Sequence, residues 1–264
     1  MIYLSKITRK PGLRLGAGFP FNLALVKKLR SLSFDAPVTF FIGENGSGKS
    51  TVLESLAAAM KLPTLGSQDI ARDESLAAAR RLAGVWRLAQ VKKPRAGFFF
   101  RAEDYFGYMR RLGGEMRELR RGEEEFEGKF KGYAKTLAVG SLCGQRGALE
   151  SRYGPDPDAR SHGEGFWHLL QARLRPGGLY LMDEPETPLS PLRQLALLSL
   201  LQAMAAKDCQ FIIATHSPIL MALPGASLLN FNTVPPEEIA YDDAEQVSLT
   251  RAFLRDPGAF LRKL

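Results

Sequence analysis

The stretch Gly43-Glu44-Asn45-Gly46-Ser47-Gly48-Lys49-Ser50 lies between the apolar, β-type run "PVTFFI" and a helical pattern with Val52, Leu53, Leu56, Ala57 and Met60 on one face. It fits the spacing G-x-x-x-x-G-K-[S/T]. Glycines let the backbone curl until successive N–H groups point inward, which makes an anion nest at a helix N-terminus. In that reading Gly43, Asn45, Gly46, Ser47 and Gly48 form the cradle, Lys49 brings a point charge to the β- and γ-phosphates of a triphosphate, and Ser50, followed by Thr51, offers a hydroxyl to Mg²⁺. A strand that must end at such a loop and continue as a helix commits the chain to an α/β fold.

Two further runs end in the same way. "LYLMDEPE" is a buried strand that delivers Asp183 and Glu184 to its C-terminal end, the edge at which open α/β sheets bind ligands. Asp183 is placed to hold Mg²⁺, directly or through water, and Glu184 to orient and deprotonate an attacking water. "FIIATHSP" is a second apolar strand. It ends in Thr215 and His216, with Ser217-Pro218 opening the next helix; the histidine is placed to contact a γ-phosphate or to hold the water in line.

Around these runs the first forty residues read as three strands, "MIYLSKITR", "NLALVKKL" and "PVTFFIG", and residues 65–95 as broken helix. "GFFFR" is a buried strand. Residues 107–134 mix both charge signs without a sustained heptad and read as a short helical arm or lid. Ser190 caps a helix that has Pro191 at its first position. The tail holds strands at "SLLNF" and "EIAYDD" and two closing helices. The expected fold is a mixed, mainly parallel sheet flanked by helices, with an antiparallel N-terminal part. It forms one domain over 1–264: strands and phosphate loop at 1–61, helical arm at 62–160, and the remaining motifs at 161–264.

Cys143 and Cys209 are too far apart for metal-ligand spacing, and Cys209 reads as a small core residue. No apolar run reaches the ~18 residues of a membrane span, and the N-terminus has no signal-peptide core, so a cytoplasmic protein without membrane contact is expected. The net charge of +8 suits an anionic partner such as DNA.

The order of the phosphate loop, "SHGEG" before a helix, "LYLMDEPE", "PLS" and "ATHSP" resembles the ABC-type ATPases. It is closer to their SMC and RecF-like branch than to the transporters, and is similar to small single-domain ABC-type ATPases. That resemblance implies ATP and Mg²⁺ as cofactors and an ATP-dependent homodimer. Ser161, Gly163 and Glu164 of one subunit would then face the γ-phosphate held by the other, and Pro188, Leu189 and Ser190 would cross the interface. Gly165 stands where relatives often have Ser, and Arg160 where they often have Gln. No Gln occupies the place of the Q-loop glutamine; Arg101 and Glu103 stand there, and Glu103 could reach Mg²⁺ through water. The implied function is ATP hydrolysis coupled to dimerisation on DNA or a DNA-bound partner. The alternatives are a regulatory or defence switch acting on a separate effector protein and, less in keeping with "SHGEG", a transporter subunit.

Overall fold

A computed structural model describes residues 1–65, 73–154 and 162–262. In chain order its elements are β1 (Leu4–Arg9), α1 (Ala24–Lys28), β2 (Ser31–Ser33), β3 (Val38–Ile42), α2 (Lys49–Met60), α3 (Ala77–Ala83), β4 (Trp86–Gln90) and β5 (Ala96–Arg101). Three helices follow, α4 (Ala102–Lys129), α5 (Tyr133–Tyr153) and α6 (His162–Arg173). The last part is β6 (Gly178–Asp183), α7 (Pro191–Ala205), β7 (Gln210–Ala214), α8 (Pro218–Met221), β8 (Ser227–Asn230), β9 (Glu237–Ile239), α9 (Glu245–Arg255) and α10 (Pro257–Leu261). Two compact units divide the chain: residues Met1–Ala102 with Arg175–Leu264, and Glu103–Leu174.

The first unit holds two sheets. One has strand order β5-β6-β7-β3-β8-β9, parallel except for β9, and the other has the antiparallel order β2-β1-β4. The residues of β3 and β7 are all buried, as their uninterrupted apolar runs require of a parallel sheet covered on both faces. Val52, Leu53, Leu56 and Ala57 of α2 pack into one core with Leu4 and Ile7 of β1, Phe41 of β3 and Ile212 of β7. Gln210, fully buried, stitches the two sheets together. Its Oε1 accepts from the backbone N–H groups of Tyr3 (2.7 Å) and Leu4 (2.9 Å), and its Nε2 donates to the Leu4 carbonyl (2.9 Å). Every polar atom of the amide that the core encloses is thereby satisfied.

Three sequence expectations are corrected here. "NLALVKKL" is not a strand but contains the short helix α1, whose buried residues Leu25 and Val26, with Leu29 just beyond, follow helical spacing. The end of α1 is fixed by a distant residue: the Arg9 guanidinium donates to the carbonyls of Lys27 (2.8 Å) and Leu29 (2.8 Å). Such long-range capping of orphan carbonyls leaves no local sequence signal. Within 65–95, the segment 86–90 is strand β4 rather than helix, because β1 offers it an edge; Trp86 is anchored by its Nε1–H donating to Ser55 Oγ (2.9 Å). Finally, Ser31–Ser33 forms β2, which the sequence reading had not marked as a strand.

The second unit consists of α4, α5 and α6. The helical arm is a pair of helices of 28 and 21 residues, joined side by side where Arg146 of α5 grips Glu123 of α4 through Nε (2.8 Å) and Nη2 (3.0 Å). Tyr105 of α4 meets Phe166 of α6 edge-on, with ring centroids 5.5 Å apart. Gly165 lies beneath the same tyrosine: a Cβ there would stand 2.6 Å from the Tyr105 hydroxyl and 3.2 Å from Met109 Cε.

At the end of β5, Arg101 is 5% exposed and is held by Glu54 (3.4 Å) and Asp73 (3.2 Å). Removing one partner of a buried ion network leaves uncompensated charge, at a cost of about 3–5 kcal/mol. Arg101→Met is therefore expected to lower the midpoint of urea unfolding with the slope unchanged; an unaltered midpoint would show that the triad does not hold β5 to α2.

Candidate nucleotide site

The register of the parallel sheet assembles the site. Phe41 of β3 is paired with Ala214 of β7, Ala214 with Asp183 of β6, and Asp183 with Arg101 of β5, so β5, β6 and β7 end flush at one edge and β3 runs one residue further, to Ile42. The phosphate loop leaves β3 immediately after this line, the carboxylate pair ends β6 on it, and Thr215-His216 follow β7 across it.

Within the loop, Gly43, Gly46 and Gly48 have φ of +139°, +80° and +97°, so the curl uses backbone freedom that only glycine has cheaply. Lys49 is buried. Its Nζ donates to the carbonyls of Gly43 (2.9 Å) and Glu44 (2.8 Å), and burial pulls its pKa below the usual lysine value, opposed by Asp183, Glu184 and Glu186. Ser50 Oγ donates to Asp183 Oδ1 across 3.1 Å, which joins the two motifs that the sequence separates by 133 residues. The Ser47 hydroxyl is buried with no hydrogen-bond partner among the described residues. A cavity of about 310 Å³ opens over these groups, lined by Asn45, Gly46, Gly48, Lys49, Ser50 and Thr51 with Phe19, Leu23, Glu184 and His216.

Glu184 takes a left-handed backbone conformation, φ +50°, which is uncommon for a residue with a side chain; its N–H donates to the Ala214 carbonyl (2.9 Å). The turn aims its carboxylate at the cavity, where Oε1 stands 3.9 Å from His216 Nε2. Burial and the charge of Lys49 lower the His216 pKa, so the imidazole is neutral at pH 7; Glu184 acts against both.

Two participants were missed in the sequence. Glu186 accepts the backbone N–H of His216 at Oε1 (2.7 Å), while its Oε2 is buried without a hydrogen-bond partner among the described residues. Gln194 of α7 accepts from Ser217 Oγ (2.6 Å) and donates to the Leu189 carbonyl (3.2 Å), fixing the segment after Glu186 to the segment after β7. "DEPE" does contain a third acid, but its role depends on β7 lying beside β6, and that adjacency is not visible locally. In the same segment, Ser190 caps α7 as expected, accepting from the Arg193 N–H.

The other expected residues lie in the second unit. Glu103 is exposed in the first turn of α4. Gly163 and Glu164 are not in a loop before the helix but in the first turn of α6, which begins at His162. Ser161 and Arg160 lie outside the described residues. Arg101, offered above for the place of a glutamine, is occupied by Glu54 and Asp73.

Residues 22–78, which contain the whole phosphate loop, match a family model described as "AAA domain". Residues 166–222, which contain Asp183, Glu184 and His216, match one described as "AAA domain, putative AbiEii toxin, Type IV TA system". Both halves of one site thus fall in AAA-domain models. The two segments that carry the site are each similar to an AAA domain. Similar solved structures include the Smc head domain of Pyrococcus furiosus, bound to the C-terminal domain of ScpA (10% identity, TM-score 0.47, covering 96% of this chain and 100% of that one). A nucleotide-free ATP-binding cassette from an ABC transporter is 16% identical, with TM-score 0.46, covering 96% of each chain. The SMC head domain of Thermotoga maritima is 15% identical, with TM-score 0.39, covering 90% of this chain and 98% of that one. No curated protein matches the sequence. No described helix is long and apolar enough to cross a membrane.

Burial raises the pKa of Glu186 above the usual carboxylate value, and the bond from the His216 N–H only partly offsets this. A folded-state pKa above the unfolded one means that stability is fully present below the unfolded value and is lost as pH rises through the folded one. Glu186→Gln keeps the carbonyl acceptor for His216 and removes the buried charge. It should raise the melting temperature at pH 7 by about 2–4 °C, the shift given by ~1 kcal/mol in a chain of this size. The gain should vanish as the pH falls toward 4; a gain independent of pH would mean that the carboxylate charge is not its source.

Proposed function

We propose that this chain is an ATPase of the ABC/AAA type that binds Mg-ATP in the cavity over the phosphate loop, hydrolyses it in a homodimer formed around the nucleotide, and acts on DNA. The observation that carries the nucleotide reading is the Ser50 Oγ–Asp183 Oδ1 contact of 3.1 Å beside the curled loop. A hydroxyl and a carboxylate so placed are the hard oxygen donors that Mg²⁺ takes, and the Ser47 hydroxyl of the same loop has no hydrogen-bond partner among the described residues. Mg²⁺, when bound, supplies neutralising charge to the β- and γ-phosphates. Lys49 exchanges the carbonyls of Gly43 and Glu44 for phosphate oxygens. Glu184 orients and deprotonates the attacking water, and His216, neutral at pH 7, fixes the geometry of that water and the γ-phosphate. Ser161, Gly163 and Glu164 act from the opposite subunit. This last group of assignments rests on the resemblance of the motifs.

The DNA reading is supported by where the charge lies. Residues 1–34 and 84–101 carry twelve Lys and Arg and no Asp or Glu, whereas the rest of the chain has twenty-four against twenty-eight. All three strands of the antiparallel sheet β2-β1-β4 lie in these segments, which also hold α1 and β5 with its buried, acid-paired Arg101. On the outer face of that sheet exposed Lys6 stands opposite Ser33 and Ala89, and exposed Thr8 opposite Ser31 and Arg87. Cations interleaved with small hydroxyls, without an acid among them, suit a phosphate backbone.

Two tests follow from this. Glu184→Gln should bind ATP and accumulate dimer in size-exclusion chromatography while losing turnover; hydrolysis at the wild-type rate would remove Glu184 from its role. Replacing Lys6 and Arg87 with Glu should weaken binding of duplex DNA by about tenfold or more and flatten its salt dependence, since each lost phosphate contact takes ~0.9 from the log–log slope. Wild-type DNA binding in that variant would dismiss the sheet as the contact, and no DNA binding by the wild type would move the partner to an effector protein.

A further inference from the structure

Beyond the motif residues, one side chain outside the phosphate loop fixes its first half. Ile42 at the end of β3 is paired with Asn230 at the end of β8, and the Phe231 N–H donates to the Ile42 carbonyl (2.8 Å). Both chains then run two residues past the sheet edge, which brings Asn232 opposite Glu44. There the Glu44 N–H donates to Asn232 Oδ1 at 2.7 Å. Asn232 is itself held on two sides: its N–H donates to Asn230 Oδ1 (3.0 Å), and its Nδ2 donates to Glu245 Oε2 (3.3 Å). Glu245 is the first residue of α9.

We infer that Asn232 is a positioning residue for the phosphate loop and that Glu245 sets the direction of its amide. The effect on nucleotide rests on the reading of the site given above. Three features carry the inference. The Asn232 amide oxygen occupies the space of a side chain at Gly43, where a Cβ would come within 2.7 Å of it, so the loop is pressed against Asn232 at the residue where its curl begins. The bond commits the Glu44 N–H to Asn232, so the nest of N–H groups open to phosphate begins at Asn45. The amide also has only one satisfactory orientation: turned over, it would set its N–H₂ against the Glu44 N–H and its oxygen against the Glu245 carboxylate. Because Glu245 opens α9, the position of that helix is tied through one side chain to the loop that grips the triphosphate.

The chemistry permits a test by exchange of roles. Asn232→Asp keeps an acceptor for Glu44 but sets two carboxylates face to face, whereas adding Glu245→Gln restores a donor opposite the new acid. With Mg-ATP, Asn232→Asp should raise KM by about tenfold with kcat changed by less than about twofold, the pattern of lost ground-state positioning. The double variant should return KM to within about threefold of wild type. Melting temperatures that agree among the three proteins would separate this from a folding defect. A wild-type KM in Asn232→Asp, or a double variant no better than the single one, would overturn the inference.

Amide exchange of Glu44 in the nucleotide-free protein, followed by NMR, makes the outcome independent of ATP. The Glu44 amide should exchange slowly in the wild type and faster in Asn232→Ala; equal rates would refute the positioning role even if the wild type bound no nucleotide. If the wild type fails to bind Mg-ATP while this difference in exchange stands, the nucleotide reading fails and the positioning of the loop survives.

Discussion

The line of paired residues Phe41, Ala214, Asp183 and Arg101 at the ends of the parallel strands is the constraint on which the rest of the structure depends. Side chains alternate across a sheet, so a slip of one residue in β6 would carry Asp183 to the opposite face and away from Ser50. The register is enforced from within: β3 and β7 are buried along their whole length, and any shift would expose apolar residues at one end and enclose polar ones at the other. The site is the visible end of that packing. Lys49, Ser50, Asp183, Glu184 and His216 come from three segments, and what they share is an edge.

Those five residues were legible in the sequence because each motif is a strand followed by a change of chemistry, and the apolar run tells where the edge must be. The helices α2, α7 and α8 were legible for the same reason, with Ser190-Pro191 and Ser217-Pro218 marking two of the starts. What could not be read was whatever depends on a partner distant along the chain. The end of α1 is decided by Arg9, β4 by the free edge of β1, and the pairing of α4 with α5, though not the helical arm itself, by a grip between Glu123 and Arg146. Glu186 and Gln194 belong to the same class. Their residue types were in view, but their roles exist only once β6, β7 and α7 are neighbours. Arg101, which stands in the place of the Q-loop glutamine, belongs there too: its ion pairs with Glu54 and Asp73 join residues 47 and 28 positions away.

The first unit also separates its charges. The antiparallel sheet gathers cations without acids, while the nucleotide edge gathers Asp183, Glu184 and Glu186 around a single buried lysine. A net charge of +8 averages over these opposed regions and so understates both. The sheet presents a field suited to a polyanion over a broad face. At the edge where the phosphate loop leaves β3, Lys49 is tied to two carbonyls of its own loop.

Gly165 has a consequence for how this chain can change over time. With the Tyr105 hydroxyl 2.6 Å from the place of its missing Cβ, the glycine and the tyrosine form an interlocked pair. A side chain at 165 must push the phenol aside, and a smaller residue at 105 would open a hole beside Phe166 while the glycine stays. Neither single step is neutral, so the two positions are bound to a shared history. A lineage that exchanges one must pass through a poorly packed intermediate or alter both together.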